Sequence, residues 1–215
     1  MPRERPRYIV VEGVIGVGKT SLVRLLAEKL GARMALEAVE ENPFLKDFYA
    51  DPVHFAFKTQ IYFLLSRFRQ QQDLMQGELF HQTLISDYHF AKDRIFANIT
   101  LSDDELSLYN LVADALGPRV PRPDLVIFLQ ASLATLLDRI GRRGRPMERD
   151  IEPAYLEALS EAYTHYFFHY QASPLLVVNT DNIDFVQRTR HLEDLTQRIL
   201  QPFEGTLVYA PSWEA

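Results

Sequence analysis

An α/β fold, with a parallel sheet covered by helices on both faces, is what this chain predicts, and three observations predict it. Gly13-Val14-Ile15-Gly16-Val17-Gly18-Lys19-Thr20 is a complete G-x-x-x-x-G-K-[ST] phosphate loop, and it follows the apolar run Tyr8-Ile9-Val10-Val11 directly. Short apolar segments then alternate with longer stretches of helical period. The last two of those segments, Leu125-Val126-Ile127-Phe128-Leu129 and Leu175-Leu176-Val177-Val178, are apolar throughout, as strands buried on both sides are.

Taken in order, Tyr8 to Val11 is the first strand. The glycines after it let backbone N–H groups curl around phosphate oxygens. The helix that follows, Ser21 to Leu30, carries Leu22, Leu25, Leu26 and Leu30 on one face and turns its positive dipole end to the same anion. In such a loop Lys19 reaches the β- and γ-phosphates and the Thr20 hydroxyl holds Mg²⁺. Arg33 to Leu36 and Leu84-Ile85-Ser86 supply two further strands, which makes a five-stranded sheet. Helices are expected from Pro52 to about Gly77, from Asp103-Asp104 to Gly117, over Leu133 to Ile140 and Pro153 to Tyr170, and from Phe185 to Leu200, stopped by Pro202. Pro118-Arg119-Val120-Pro121-Arg122-Pro123 reads as a stiff connector, since a core strand follows at once. There is no internal repeat, and residues 1–215 are expected to form one domain.

The composition narrows the function. A hydrophobic fraction of 47% and a charged fraction of 24% are those of an ordinary globular protein. A net charge of −6 argues against wrapping a nucleic acid polymer, which needs a basic stripe. With no cysteine there are no disulfides and no thiolate metal sites. No apolar run approaches membrane-spanning length. The basic start Met1-Pro2-Arg3-Glu4-Arg5-Pro6-Arg7 lacks an apolar targeting segment, so a cytoplasmic protein with no membrane partner is expected.

Four groupings carry chemistry. Glu37 falls just past the second strand, at the edge where open α/β sheets gather ligands, and its carboxylate suits a base for a hydroxyl attacking the γ-phosphate. Its neighbours Glu40 and Glu41 read as solvated loop charges. Asp87, in Ser86-Asp87-Tyr88-His89, stands where an acidic residue holds a metal or its water; His89 is either a phosphate contact or a structural histidine. Arg139 and then Arg142-Arg143-Gly144-Arg145-Pro146-Met147-Glu148-Arg149 read as a lid, about residues 142–150, that closes on phosphates. Gln60 and Arg67 on the long helix, with Asp93 and Arg94 downstream, are groups that can read a base edge, and Phe57 and Phe90 could stack it. Spacing alone does not single them out from core positions; only the resemblance below does.

In this order these segments resemble the deoxynucleoside kinase family, closest to its bacterial deoxyadenosine/deoxyguanosine kinases. The likeness runs from Tyr8 to about Leu200 and is carried by the phosphate loop, Glu37-x-Val39-Glu40-Glu41-Asn42-Pro43-Phe44, Gln60 with Leu65-Ser66-Arg67, Asp87-Tyr88-His89 followed by Asp93-Arg94, and Arg143-Gly144-Arg145-Pro146. The resemblance implies a P-loop kinase fold and transfer of the γ-phosphoryl of ATP, with Mg²⁺, to the 5′-hydroxyl of a deoxyribonucleoside, in nucleotide salvage. It implies that Glu37 is the base, that Tyr49 and Glu148 hold the 3′-hydroxyl, and that Gln60 and Asp93 face the base with Arg67 in support. Lys19, Arg139 and Arg143 would be catalytic, and residues 13–21, Gly13 to Ser21, with Arg143 and Arg145 would bind ATP. Thr20 and Asp87 would hold the metal. A homodimer through the long helices is implied too.

Two departures stand out. Ala38 replaces a proline common after the catalytic glutamate, and Tyr88-His89 replaces an Arg-Ser or Arg-Thr pair, so the arginine expected at the reacting oxygens is missing. His89, Arg94 or a lid arginine is left to replace it. The Tyr-His form resembles purine-specific members, which points to deoxyguanosine or deoxyadenosine. The alternatives are a nucleoside monophosphate kinase of thymidylate-kinase type and a GTP switch. The switch is disfavoured because Asp114 to Gly117 and Asp138 to Gly141 spell D-x-x-G inside predicted helices.

Overall fold

In the computed structural model the described residues are 6–76, 83–148, 151–209 and 211. The end of the long helix at Gly77, the N-terminal residues 1–5, and Arg149 and Asp150 at the end of the expected lid lie outside them.

Strand β1 (Tyr8–Gly13) is buried at every position, so both faces of the sheet are covered there. It runs parallel to β3 (Leu84–Ser86) on one side and β4 (Leu125–Gln130) on the other, with Ile9 opposite both Ile85 and Leu125. Beyond β3 lies β2 (Arg33–Ala35), and beyond β4 lie β5 (Leu175–Asn179) and β6 (Thr206–Tyr209). The order is β2-β3-β1-β4-β5-β6, six parallel strands instead of the five expected. The extra strand is the edge segment Thr206-Leu207-Val208-Tyr209, only four residues long, of which only Tyr209 is buried.

Helix α1 (Lys19–Leu30) buries Leu22, Val23, Leu26 and Ala27 against the sheet and ends at Gly31, whose φ of 61° is the left-handed stop glycine favours. A short helix α2 (Leu45–Ala50) leads into α3 (Pro52–Gln76), the long helix expected. Helix α4 (Lys92–Thr100) was not expected. Helix α5 (Asp103–Leu116) starts where Glu105 reaches back to accept the Ser102 N–H at 3.0 Å. Helix α6 (Leu133–Arg143) is capped by the Ser132 hydroxyl and ends at Gly144, φ 65°. Helix α7 (Pro153–Phe168) lays Tyr163 and Phe167 on Phe128 of β4, the latter pair 4.4 Å between ring centroids. Helix α8 (Thr189–Leu200) begins later than the expected Phe185, because Asp184 Oδ1 accepts the N–H groups of Val186 and Gln187 and holds that stretch in a turn.

A second apolar cluster joins α3, α4 and α5 through Leu64, Ala97, Tyr109 and Ala113, with Phe57 and Phe90 packed against it. The carboxyl ends of β1, β2 and β3 carry the phosphate loop, Glu37 and Asp87, as the crevice rule for open sheets requires.

Candidate active site

The phosphate loop owes its shape to glycine at two places above all. At Gly13 (φ 148°) a Cβ would lie 2.4 Å from the Leu129 carbonyl oxygen, and at Gly16 (φ 87°) it would lie 2.8 Å from Ile140. Lys19 Nζ folds back on the loop and donates to the carbonyls of Gly13 (2.7 Å) and Val14 (3.1 Å). Helix α1 has no acidic residue in its first turn, so nothing on the helix neutralises the dipole end that faces the loop.

One cleft of about 1350 Å³ opens beside this loop, and its walls carry Lys19, Thr20, Ser21, Glu37, Tyr49, Gln60, Arg67, Asp87, Arg139, Arg143, Arg145 and Glu148. Ile15, Gly16, Val17 and Gly18 line it too, whereas Gly13 and Val14 lie behind, where their carbonyls meet Lys19. Residues scattered over most of the sequence thus converge.

Asp87 ties the two halves together. Its Oδ2 accepts the Thr20 hydroxyl at 2.5 Å and its Oδ1 accepts the Glu37 backbone N–H at 2.7 Å. A hydroxyl and a carboxylate side by side at the phosphate loop are hard oxygen ligands, which fit Mg²⁺. Among the described residues no three acidic, histidine or cysteine side chains gather to cage a metal, so such a cation would take its other ligands from phosphate and water.

Glu37 is the most constrained carboxylate of the site. Oε1 accepts from Arg67, and Oε2 accepts from Lys92 Nζ at 2.7 Å. Burial alone would raise its pKa, but Arg67 and then Lys92 outweigh it and hold the carboxyl well below the usual range. Gln70 of α3 donates to the Leu36 carbonyl at 2.9 Å, which fixes the backbone just ahead of Glu37.

Helix α3 presents Gln60, Phe63 and Arg67 at three- and four-residue spacing, hence on one face. Gln60 is buried and donates to the Thr100 hydroxyl at 3.3 Å. Arg67 stacks on Phe63, 4.6 Å to the ring centroid, and pairs with both Glu37 and Asp93. Asp93 does not line the cleft; it reaches it only through Arg67. The aromatic walls are Phe48, Tyr49, Phe63, Phe96, Tyr155 and Phe185, so Phe57 and Phe90, the rings expected to stack a base, pack against the core instead.

The arginines divide. Arg139 donates to the carbonyls of Val17 (3.0 Å) and Thr180 (2.8 Å) and to the Thr180 hydroxyl (2.8 Å), bridging the phosphate loop to the end of β5. Arg143 donates to Glu148 Oε2 at 2.5 Å, while Arg145 lies 3.5 Å from Oε1 of the same buried carboxylate. Tyr49 and Glu148, the two expected sugar contacts, both line the cleft, and burial and then the charge of Glu148 raise the pKa of Tyr49.

Of the groups expected to replace the missing arginine, the lid arginines Arg143 and Arg145 line the cleft, whereas His89 and Arg94 do not. His89 is half-buried with its ring edge-on to Tyr170, its pKa pushed down to about 4 by desolvation. Arg94 pairs with Asp114. Tyr88 is fully buried. Sequence reasoning missed Lys92, the cation that does stand beside Glu37, and Glu12. Glu12 is buried in β1, where it accepts the N–H groups of Gly13 (3.0 Å) and His89 (2.6 Å) and the Tyr163 hydroxyl (3.2 Å). Its one signal was a carboxylate closing an otherwise apolar strand.

Comparison with known proteins agrees with this geometry. A family model described as deoxynucleoside kinase matches residues 9–203. The chain is 39% identical to a deoxyguanosine kinase of Bacillus subtilis, covering 89% of this chain and 95% of that protein. It is 32% identical to a deoxyadenosine/deoxycytidine kinase of the same organism, covering 89% and 90%. A solved structure of deoxyadenosine kinase from M. mycoides with bound dATP superposes with a TM-score of 0.77 at 27% identity, over 89% of this chain and 98% of that one.

Proposed function

Because the chain belongs to the deoxynucleoside kinase family, with its P-loop kinase fold, we propose that it passes the γ-phosphoryl of ATP to the 5′-hydroxyl of a purine deoxyribonucleoside, deoxyguanosine or deoxyadenosine. The observation that carries this is the single Asp87 carboxylate joining Thr20 of the phosphate cradle to the backbone of Glu37, which supports reading Glu37 as the base at that cradle.

The phosphates lie on the N–H groups of the loop and on Lys19. Thr20 and Asp87 would hold Mg²⁺, which would supply positive charge to offset that of the donor phosphates. Tyr49 and Glu148 take the sugar's 3′-hydroxyl, and Gln60 and Arg67 take the base edge, with Asp93 orienting Arg67. As the 5′-oxygen bonds to the γ-phosphorus and the bond from that phosphorus to the β–γ bridging oxygen breaks, the hydroxyl proton passes to Glu37. A carboxylate held this acidic is a weak base, which suits a loose transition state whose proton moves late. Arg143 and Arg145, now held on Glu148, are the lid arginines that turn to the phosphates, and closure keeps water from taking the phosphoryl group.

An acceptor that is neutral fits better than a monophosphate. The cations beside Glu37 are Arg67 and Lys92, and the carboxylates of Glu37 and Asp93 already balance them. In the described residues no helix is long and apolar enough to cross a membrane. We read the protein as a salvage enzyme of one domain, acting in the cytoplasm as a nucleoside kinase would, with a lid whose described part is residues 142–148. Exposed Leu65 on α3 and Leu108 and Leu111 on the adjoining α5 mark the face for a homodimer.

Labelled ATP offered with each deoxynucleoside and each deoxynucleoside monophosphate tests the reading. The expected result is transfer to deoxyguanosine or deoxyadenosine, and loss of turnover far beyond loss of nucleoside affinity in Glu37→Gln. Transfer to monophosphates alone, or a Glu37→Gln enzyme with normal turnover, would refute it.

A further inference from the structure

Lys92 takes no part in the mechanism above, yet four features set it apart. Its side chain is 7% exposed and lies on the wall of the cleft that holds Lys19, Asp87 and Glu37. Among the described residues its ammonium makes one hydrogen bond, to Glu37 Oε2 at 2.7 Å, although an ammonium has three protons to donate. The ring of Phe96 lies 5.6 Å from Nζ and offers only a weak partner for the rest. Finally, Lys92 is the first residue of α4, the end of a helix where a positive charge is disfavoured. The helix terminus by itself does not call for a lysine there.

The charge balance of the reaction says what such a cation is for. While Glu37 is ionised, Lys92 neutralises it. When the hydroxyl proton reaches Glu37 the carboxyl becomes neutral, so an ammonium fixed on it would lose its partner and oppose the proton's arrival. At that moment negative charge is spread over the oxygens of the phosphoryl group in flight. That group must touch the hydroxyl oxygen, which itself must touch Glu37. Two hydrogen-bond lengths therefore bring it within a side-chain rotation of Nζ.

We propose that Lys92 is a catalytic residue: its ammonium moves from the Glu37 carboxylate to the oxygens of the transferring phosphoryl group as Glu37 accepts the hydroxyl proton. Lys92 keeps all its protons throughout; only its hydrogen-bond acceptor changes. The proposal rests on Glu37 being the base, as argued above. It gives this chain a cation at the reacting oxygens from helix α4, one that the buried Tyr88 cannot provide.

The competing reading is that Lys92 only holds Glu37 in place, and a double-mutant cycle separates the two. Single-turnover transfer from labelled ATP is measured at saturating nucleoside for wild type, Lys92→Met, Glu37→Gln and the double variant. Lys92→Met is expected to slow transfer by about 10²–10³-fold, the range for losing one donor to transition-state charge, with nucleoside affinity little changed. The double variant is expected to be slower than Glu37→Gln by at least about tenfold, since the phosphoryl contact outlives the loss of the base. A double variant no slower than Glu37→Gln would overturn the proposal and leave Lys92 a support for Glu37.

Because the chain has no cysteine, Lys92→Cys creates a single thiol. Alkylation with 2-bromoethylamine in mild denaturant, followed by refolding, restores an ammonium of nearly lysine length; iodoacetamide leaves a neutral adduct. Recovery with the first reagent alone, repeated in the Glu37→Gln background where no carboxylate is left to hold, supports the proposal even if Lys92→Met folds poorly, and equal rates for the two adducts in that background would overturn it. A wild-type protein that phosphorylates no deoxynucleoside would bring down the reaction itself, and this assignment with it.

Discussion

Replacing Arg67 by methionine should destabilise the protein far more than its position on a substrate cleft suggests. Arg67, Glu37, Asp93 and Lys92 form a buried group, with side chains 5%, 10%, 1% and 7% exposed, and two positive charges balance two negative ones. Methionine leaves Glu37 with Lys92 and leaves Asp93 without its cation. Breaking a buried pair by removing one partner costs about 3–5 kcal/mol. Glu37 keeps Lys92 and the cleft admits water, so the lower end, about 3 kcal/mol, is the better figure. At about 2–4 °C per kcal/mol for a chain of this size, the melting temperature should fall by roughly 6–12 °C. Arg67→Met/Asp93→Asn removes the stranded charge and should recover most of that fall. Calorimetry on the nucleotide-free protein measures both. A single variant that melts within a degree or two of wild type, or a double variant less stable than the single, would show that the four charges are not a closed group.

Other consequences can be measured separately. Burial, and then the neighbouring charge of Lys92, lower the pKa of Lys19 to about 8; the cationic form that meets phosphate is therefore lost as pH rises through that value. kcat/KM for ATP should decline above pH about 8, and a profile flat to pH 10 would contradict the shift. Gly13→Ala, whose methyl would meet the Leu129 carbonyl, should cost at least about 2 kcal/mol of stability and most ATP affinity; an unchanged ATP Kd would mean the loop can shift. Leu108→Glu with Leu111→Glu should give a folded monomer by sedimentation equilibrium, and an unaltered association state would move the dimer face elsewhere.

The elements visible in the sequence were those with a strong local signature. The phosphate loop spells its own conformation, and β4 and β5 are apolar without interruption. Helix α4 escaped because its start, Lys92-Asp93-Arg94, is charged and abuts a site motif, so helical period shows only from Ile95 to Ile99. Strand β6 escaped because its four residues, Thr206 to Tyr209, are too few to show a period, although three of them are apolar.

The site residues divide the same way. Lys19, Thr20, Glu37 and Asp87 stand at strand ends, where topology alone brings them together. Phe57 and Phe90 could not be told from Phe63 and Phe96 without the helix packing, since all four are aromatics on amphipathic segments. Lys92 and Glu12 were hidden for a further reason: their importance is electrostatic, and it arises only when chain segments far apart are juxtaposed.

The inward fold of Lys19 has a consequence for how the donor arrives. With its amine already resting on two carbonyls of its own loop, the chain there is wound before any anion comes. Capture of a polyphosphate is then an exchange of acceptors at one nitrogen, and the ordering of the loop was settled when the protein folded. Encounter can be quick, and release after turnover need not unravel the backbone.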